Sequence, residues 1–128
     1  MNYKIAVCDD SAADRQYLSA LAAQWAEKAG AVAEVTAFPS AENFLFCYAE
    51  KKDYDILLLD IEMGKISGID LKEKMIKEKN IWRIVFVSSH LEAMQLAFGL
   101  KTMGFIIKPA KTEEIHRWLK IVAEDKQE

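Results

Sequence analysis

Cysteine is scarce: the 128 residues hold two, Cys8 and Cys47. Neither has a His or Cys neighbour at ligand spacing, so neither a disulfide framework nor a thiolate metal site is expected. Both read as small buried residues of a reducing cytosol. Long apolar runs are missing too, and no segment is expected to span or anchor to a membrane. The opening residues, Met-Asn-Tyr-Lys-Ile-Ala-Val-Cys-Asp, lack the shape of a secretory signal, because their apolar core is short and ends in acids. A basic excess is absent as well. The formal net charge is −3, with Lys and Arg scattered along the chain, so the domain is not expected to bind nucleic acid itself. Repeats, linkers and low-complexity segments are lacking. What is present is an apolar share of 52% and a charged share of 29%, enough for a real core in one domain spanning residues 1–128.

The stretch from Tyr54 to Met63 organises the rest. Ile56-Leu57-Leu58-Leu59 is a short apolar run between Asp55 and Asp60, which reads as a strand buried on both faces of a parallel sheet. Asp60 comes where that strand should stop, and in open α/β sheets ligands bind outside the carboxyl ends of the strands. Gly64, Ser67 and Gly68 follow in a loop able to turn sharply.

Taken in order, Lys4–Cys8 is a first strand ending in Asp9-Asp10. Ser11 with Asp14 is a capping-box pattern opening a helix, whose apolar stripe runs from Leu18 through Trp25 to Gly30. Val32–Phe38, interrupted by Glu34 and Thr36, suits an edge strand. Pro39-Ser40 opens a second helix with Phe44, Leu45 and Tyr48 inward. Ser67-Gly68-Ile69-Asp70 opens a third, with Leu71 and Met75 inward. Ile84–Val87 is a fourth strand ending in Ser88-Ser89. Ser89 and Glu92 are expected to cap a fourth helix closing at Gly99. Phe105–Ile107 is a fifth strand ending in Lys108-Pro109. Thr112-Glu113-Glu114 opens the last helix, with acids in its first turn and Ile115, Trp118, Leu119 and Val122 as its stripe. Residues 123–128 are polar and expected to fray. Alternating strands and helices give an α/β fold, a doubly wound, flavodoxin-like (βα)5 parallel sheet. Right-handed crossovers and a weak second strand favour the order 2-1-3-4-5. Asp9-Asp10 then face Asp60 across the crevice.

Four strand ends carry polar groups: Asp9-Asp10, Asp60, Ser88 and Lys108. Two carboxylates ~4 Å apart repel by about 4 kcal/mol at an effective dielectric near 20, so three call for a compensating cation. A hard divalent ion fits, and Mg²⁺ suits a site that also takes a phosphoryl oxygen. With Lys108 as a fixed positive charge and Ser88 as a hydroxyl donor, the set describes phosphoryl transfer onto a carboxylate. Singly, each residue has a plainer role: Asp9, Asp10 and Ser88 as helix caps, Asp60 as a loop acid, Lys108 as a surface lysine. Their coincidence at successive strand ends carries the functional reading. His90 and His116 look isolated.

These residues resemble a family. Val7-Cys8-Asp9-Asp10-Ser11, Leu59-Asp60-Ile61-Glu62-Met63 with Gly68, Phe86-Val87-Ser88-Ser89-His90 and Phe105-Ile106-Ile107-Lys108-Pro109 make nearly the whole chain resemble the receiver domain of bacterial two-component response regulators. The short interval from Ser88 to Lys108, with Ala97-Phe98, resembles the LytTR-type subgroup, whose members usually carry a separate DNA-binding domain. The resemblance implies that Asp60 is a phosphoacceptor for a sensor histidine kinase. It implies Mg²⁺ on Asp60, on Asp10 directly, on Asp9 through water and on the carbonyl of Glu62. Ser88 and Lys108 would hold the phosphoryl group, and Phe105 would be an aromatic switch. The face of helix 4, strand 5 and helix 5, with Met94, Phe98 and Trp118, would meet an output domain or a second copy. Such a chain is a cytoplasmic, transcription-regulating switch and not a conventional enzyme, although it catalyses its own phosphorylation and dephosphorylation. Two departures stand out. Gly64 replaces the usual Pro and should loosen its loop, and Ser88 stands where Thr is commoner.

Three readings compete with the switch. A small phosphohydrolase of haloacid-dehalogenase type would use the same side chains, but with its nucleophile in an Asp-x-Asp motif on the first strand. A pseudo-receiver should have lost an acid, the Lys or the hydroxyl. A flavodoxin needs a phosphate-cradling loop where Asp9-Asp10-Ser11 would repel the phosphate.

Overall fold

The computed structural model describes residues 1–50 and 53–127. The apolar runs form five strands: β1 (Asn2–Cys8), β2 (Val32–Phe38), β3 (Tyr54–Leu59), β4 (Ile81–Ser88) and β5 (Thr102–Ile107). They make one parallel sheet in the order β2-β1-β3-β4-β5, as the sequence led us to expect. The interrupted strand β2 is at one edge. The helices are α1 (Ala12–Ala29), α2 (Ala41–Tyr48), α3 (Gly68–Met75), α4 (Met94–Ala97, after a 3-10 turn at Leu91–Ala93) and α5 (Thr112–Gln127).

Two cores follow from the period of two along each strand. Ile56 and Leu58 of β3 pack with Ile5, Val7, Leu18, Leu21, Val85, Ile106, Ile115 and Leu119, between the sheet and α1 and α5. Leu57 and Leu59 point the other way, onto Phe38, Phe44, Leu71, Met75 and Phe86. These four residues of β3 are at most 1% exposed, each worth about 2 kcal/mol in burial. Rigidity at Asp60 is thus built in from both sides. Asp55, at the other end of the strand, is also buried but structural. It accepts the Lys4 backbone N–H at 2.7 Å and pairs with Lys126 of α5.

Gly30 ends α1 at φ 68°, donating to the carbonyls of Ala26 and Glu27. Two expectations fail. The fourth helix does not run from a Ser89 cap to Gly99. It is a single turn after the 3-10 segment, has no side-chain cap, and ends at Ala97 because Phe98 is extended. The tail does not fray from residue 123. α5 continues through Gln127, because Val122 and Ala123 are buried, Asp125 pairs with Arg83, Lys126 pairs with Asp55, and Gln127 donates to the Tyr3 hydroxyl. Residue 128 lies outside the described residues. Among the described residues no helix is long and apolar enough to cross a membrane.

Candidate functional site

The sheet register delivers the polar residues to one place. Cys8 lies beside Leu59, and one step further the Asp60 N–H donates to the Cys8 carbonyl at 3.0 Å. The Asp9 N–H donates to the Phe38 carbonyl at 3.1 Å, and the Lys108 N–H to the Ser88 carbonyl at 3.0 Å. Asp9, Asp60, Ser88 and Lys108 therefore stand at the ends of adjacent strands β1, β3, β4 and β5. Asp9 and Ser88 are fully buried, Asp60 is 7% exposed, and Asp10 is exposed.

Lys108 Nζ is the centre of the site. It donates to Asp9 Oδ2 at 2.7 Å, Asp14 Oδ2 at 2.8 Å and Asp60 Oδ2 at 3.2 Å. Burial alone would lower the affinity of this ammonium for its proton. The hydrogen bonds to Asp14 and Asp9 and the charges of Asp60 and Asp9 outweigh burial, so its pKa is raised and it stays charged. Burial raises the Asp9 carboxyl above the usual range. Hydrogen bonds from Lys108 and the Ser11 N–H pull it back, and the charge of Asp60 adds to the rise. Asp9 is fixed further by Ser11 N–H on Oδ1 at 2.9 Å and by Arg15 on its carbonyl at 2.9 Å. Oxygens of Asp9, Asp10 and Asp60 come within 4.8 Å of one another. Three hard oxygen donors, two of them buried, fit a small divalent cation.

Asp60 Oδ1 accepts the Ile61 N–H at 2.7 Å, which sets the carboxylate plane and leaves Oδ2 toward Lys108. Ser67 caps α3 with a complete capping box through Asp70. The helix start then presses onto the backbone of Asp60. A Cβ on Gly68 would overlap the Asp60 carbonyl oxygen and lie 3.0 Å from its carbon and 3.2 Å from Ile61 Cα. Gly64 has φ +100°, so the residue replacing proline is one the turn requires. Ser88 Oγ accepts the His90 N–H at 3.2 Å and retains its own hydrogen to donate. Phe105 is half-buried and stacks on Phe86, ring centroids 6.2 Å apart.

Several residues have roles that the sequence does not show. Asp14 reads as a capping residue and instead binds Lys108. His90 reads as isolated and instead bridges Glu62 at 3.0 Å and Glu92 at 3.2 Å, joining the loops after β3 and β4. Its pKa is raised, chiefly by the Glu92 hydrogen bond, with Glu62 and Asp60 adding. His116 meets the Leu21 carbonyl at 3.0 Å. Lys72 of α3 is 3% exposed and donates to the carbonyls of Leu96 and Phe98 at 2.7 and 2.9 Å, holding the C-terminal end of α4. Around α4, Phe98 is exposed as expected, and Leu91, Leu96 and Leu100 are exposed with it. Met94 and Trp118 are half-buried. A cavity of about 640 Å³ lies between α1 and α5 beside Tyr3, Trp25 and His116, away from Asp9 and Asp60.

Known proteins bear on this geometry. The profile of the response regulator receiver domain matches residues 5–120. A sensory transduction protein LytR of Staphylococcus epidermidis is 36% identical over 64 residues, covering 50% of this chain and 25% of that protein. A sensory transduction protein LytT of Enterococcus faecalis is 29% identical over 113 residues, 87% of this chain and 44% of that one. The chain thus spans less than half the length of these curated relatives. Both names agree with the LytTR-type likeness. The response regulatory domain of protein mrkE from Klebsiella pneumoniae superposes with TM-score 0.86 at 23% identity, covering 98% of this chain and 99% of that one. A receiver domain protein from Clostridium thermocellum gives 0.82 at 20% identity, covering 98% and 97%. The phosphohydrolase reading finds no support in these relatives.

Proposed function

The chain belongs to the response regulator receiver family, and from that premise we propose that it is a switch whose phosphoacceptor is Asp60 and whose phosphoryl donor is a sensor histidine kinase. The observation that carries the reading is one ammonium, that of Lys108, shared by Asp9 and Asp60 at the ends of neighbouring strands. Asp60 Oδ2 attacks the phosphorus of the donor. A P–O bond forms, the P–N bond to the donor imidazole breaks, and the electron pair leaves on that nitrogen. Lys108 donates to the oxygens of the transferring group, and the Ser88 hydroxyl donates to one of them. Mg²⁺, held by Asp10 and Asp60, by Asp9 through water and by the Glu62 carbonyl, would offset the charge that collects there. The same groups serve hydrolysis, in which water attacks the phosphorus, the P–O bond to Asp60 breaks, the electron pair returns to the carboxylate and inorganic phosphate leaves, so the domain is a self-timed switch and not a conventional enzyme.

Readout follows from Ser88. A phosphoryl group on Asp60 offers acceptor oxygens, and Ser88 gives up its bond from His90 to reach them. The space it leaves is filled by Phe105, whose ring meets little polar cost inside. The face of α4, β5 and α5, with Leu91, Leu96, Phe98 and Leu100 exposed, then meets an output domain or a second copy. The setting we infer is the cytoplasm, in a transcriptional regulator whose DNA contacts lie outside this domain, with residues 1–128 one receiver unit.

Incubation with acetyl phosphate and Mg²⁺, followed by intact mass, tests the core of this reading. A phosphoryl adduct is expected, lost in Asp60→Asn and in chelator. An adduct undiminished by either change would refute it.

A further inference from the structure

Two helices of this chain begin with the same pattern, Ser-x-x-Asp, and the two patterns are used differently. At α3 both reciprocal bonds form. Ser67 Oγ accepts the Asp70 N–H at 3.1 Å, and Asp70 accepts the Ser67 N–H at 3.3 Å. At α1 only the first forms, with Ser11 Oγ accepting the Asp14 N–H at 3.3 Å. The Ser11 N–H goes to Asp9 Oδ1. Asp14 is thereby freed from capping, and its carboxylate reaches Lys108, 94 residues away in sequence. Departures from a local rule tend to mark functional sites.

An ammonium has three N–H donors, and at Lys108 all three are engaged. The bonds to Asp9 and Asp14 are short, 2.7 and 2.8 Å, and the bond to Asp60 is the longest, 3.2 Å. A cavity of about 40 Å³, lined by Asp14, Tyr17, Leu18, Val87 and residues 108–110, adjoins this lysine. The three hydrogen bonds place its ammonium. The Asp14 anchor is itself firm. One turn on, the Tyr17 hydroxyl donates to the Ala110 carbonyl at 2.7 Å, so α1 grips the Lys108 loop at two points.

We propose that Asp14 is a positioning residue for phosphoryl transfer: with Asp9 it fixes the Lys108 ammonium, so that the N–H facing Asp60 is the one passed to the incoming phosphoryl oxygen. When Asp60 Oδ2 becomes the bridging oxygen of an acyl phosphate it loses its charge. The third N–H of Lys108 then moves to a phosphoryl oxygen while Asp9 and Asp14 keep the other two. This rests on Asp60 being the phosphoacceptor and adds the residue that aims its lysine.

The test is the rate of the Asp60 adduct with acetyl phosphate and Mg²⁺ in Asp14→Ala, Asp14→Asn, Asp14→Ser, Lys108→Met and the Asp14→Ala/Lys108→Met double variant. Asp14→Ala is expected to slow the reaction about tenfold, the scale of a modest misplacement. Asp14→Ser, too short to reach, should do the same, and Asp14→Asn, which keeps an acceptor oxygen, should recover most of the rate. In the Lys108→Met background, Asp14→Ala should change nothing further, because its effect passes through Lys108. The ¹⁵Nζ resonance of Lys108 should shift in Asp14→Ala without any phosphoryl donor. An unchanged or faster rate in Asp14→Ala, or equal slowing in the Lys108→Met background, would overturn the proposal. An adduct present in the native chain and lost in Asp60→Asn, with Asp14 variants normal, refutes Asp14 alone. A native chain that takes no phosphoryl group removes both readings.

Discussion

Replacing Gly68 by Ala sets two effects against each other. Helix propensity favours Ala over Gly by up to about 1 kcal/mol, so a reading from propensity alone expects a more stable chain. The geometry gives the opposite sign. The new methyl would overlap the Asp60 carbonyl oxygen and crowd the Asp60 carbonyl carbon and Ile61 Cα at 3.0 and 3.2 Å. Every obstacle is backbone, so no side chain can swing aside. The Gly68 N–H also donates to the Ile61 carbonyl at 2.7 Å, which ties the helix start to the strand end it would have to leave. Relief requires the turn after β3 to move, at about 3 kcal/mol, the upper part of the range for overpacking. The net is a loss of about 2 kcal/mol after the propensity gain. With a urea slope of roughly 2 kcal/mol per M, the midpoint should fall by about 1 M. Because the displaced backbone is that of Asp60, phosphoryl uptake should slow as well, measured on the folded fraction. An unchanged or higher urea midpoint in Gly68→Ala would refute the steric argument.

Three further outcomes are expected. Lys72→Met keeps the aliphatic stem but removes the donor to the Leu96 and Phe98 carbonyls; it should cost about 1–3 kcal/mol and speed amide exchange across residues 94–98, and unchanged exchange there would count against the clasp. His90 has a pKa raised by Glu92 and Glu62, so its contribution is complete below the unfolded imidazole value, near 6.5, and fades as pH climbs through the folded value; a ring-proton NMR titration at or below the unfolded value would contradict the bridge, and Glu92→Gln should lower the midpoint. Ser88→Ala should leave Asp60 able to accept a phosphoryl group while the amide shifts that beryllofluoride produces across residues 88–118 shrink, and undiminished shifts would remove Ser88 from the readout.

The sheet was legible because its signals are local. A continuous apolar run such as Ile56–Leu59 means burial on both faces wherever it occurs, and β2 shows its edge position through Glu34 and Thr36. The acids and the lysine were legible because each is the first polar residue after such a run. Asp14 was hidden because its immediate neighbours offer it a ready local partner, Ser11, and only the fold brings Lys108 closer. His90 was hidden for the same reason, since Glu62 reaches it from another loop. Ser89 and Glu92 mimic a helix cap in sequence, whereas the short turn that forms is held from outside by Lys72. Asp55 and Asp60 flank the same run, and chain direction separates them: Asp60 follows the run at the carboxyl end, whereas Asp55 precedes it and pairs with Lys126, a partner only the fold supplies.

Gly104 offers an optical consequence. A Cβ there would lie 2.6–2.8 Å from ring atoms of Trp118, so the indole rests directly on the bare backbone of β5. Phe105, the next residue, packs on the opposite side of the sheet with Phe86. One strand therefore carries Phe105, the proposed switch residue, on one face and a fluorophore on the other. Trp25 stands against Tyr3 and Trp82 beneath Arg83, so changing both to Phe would leave Trp118 as the single tryptophan emitter. Its emission wavelength and anisotropy would then report whether β5 moves on phosphorylation, in real time and without any label attached to the chain.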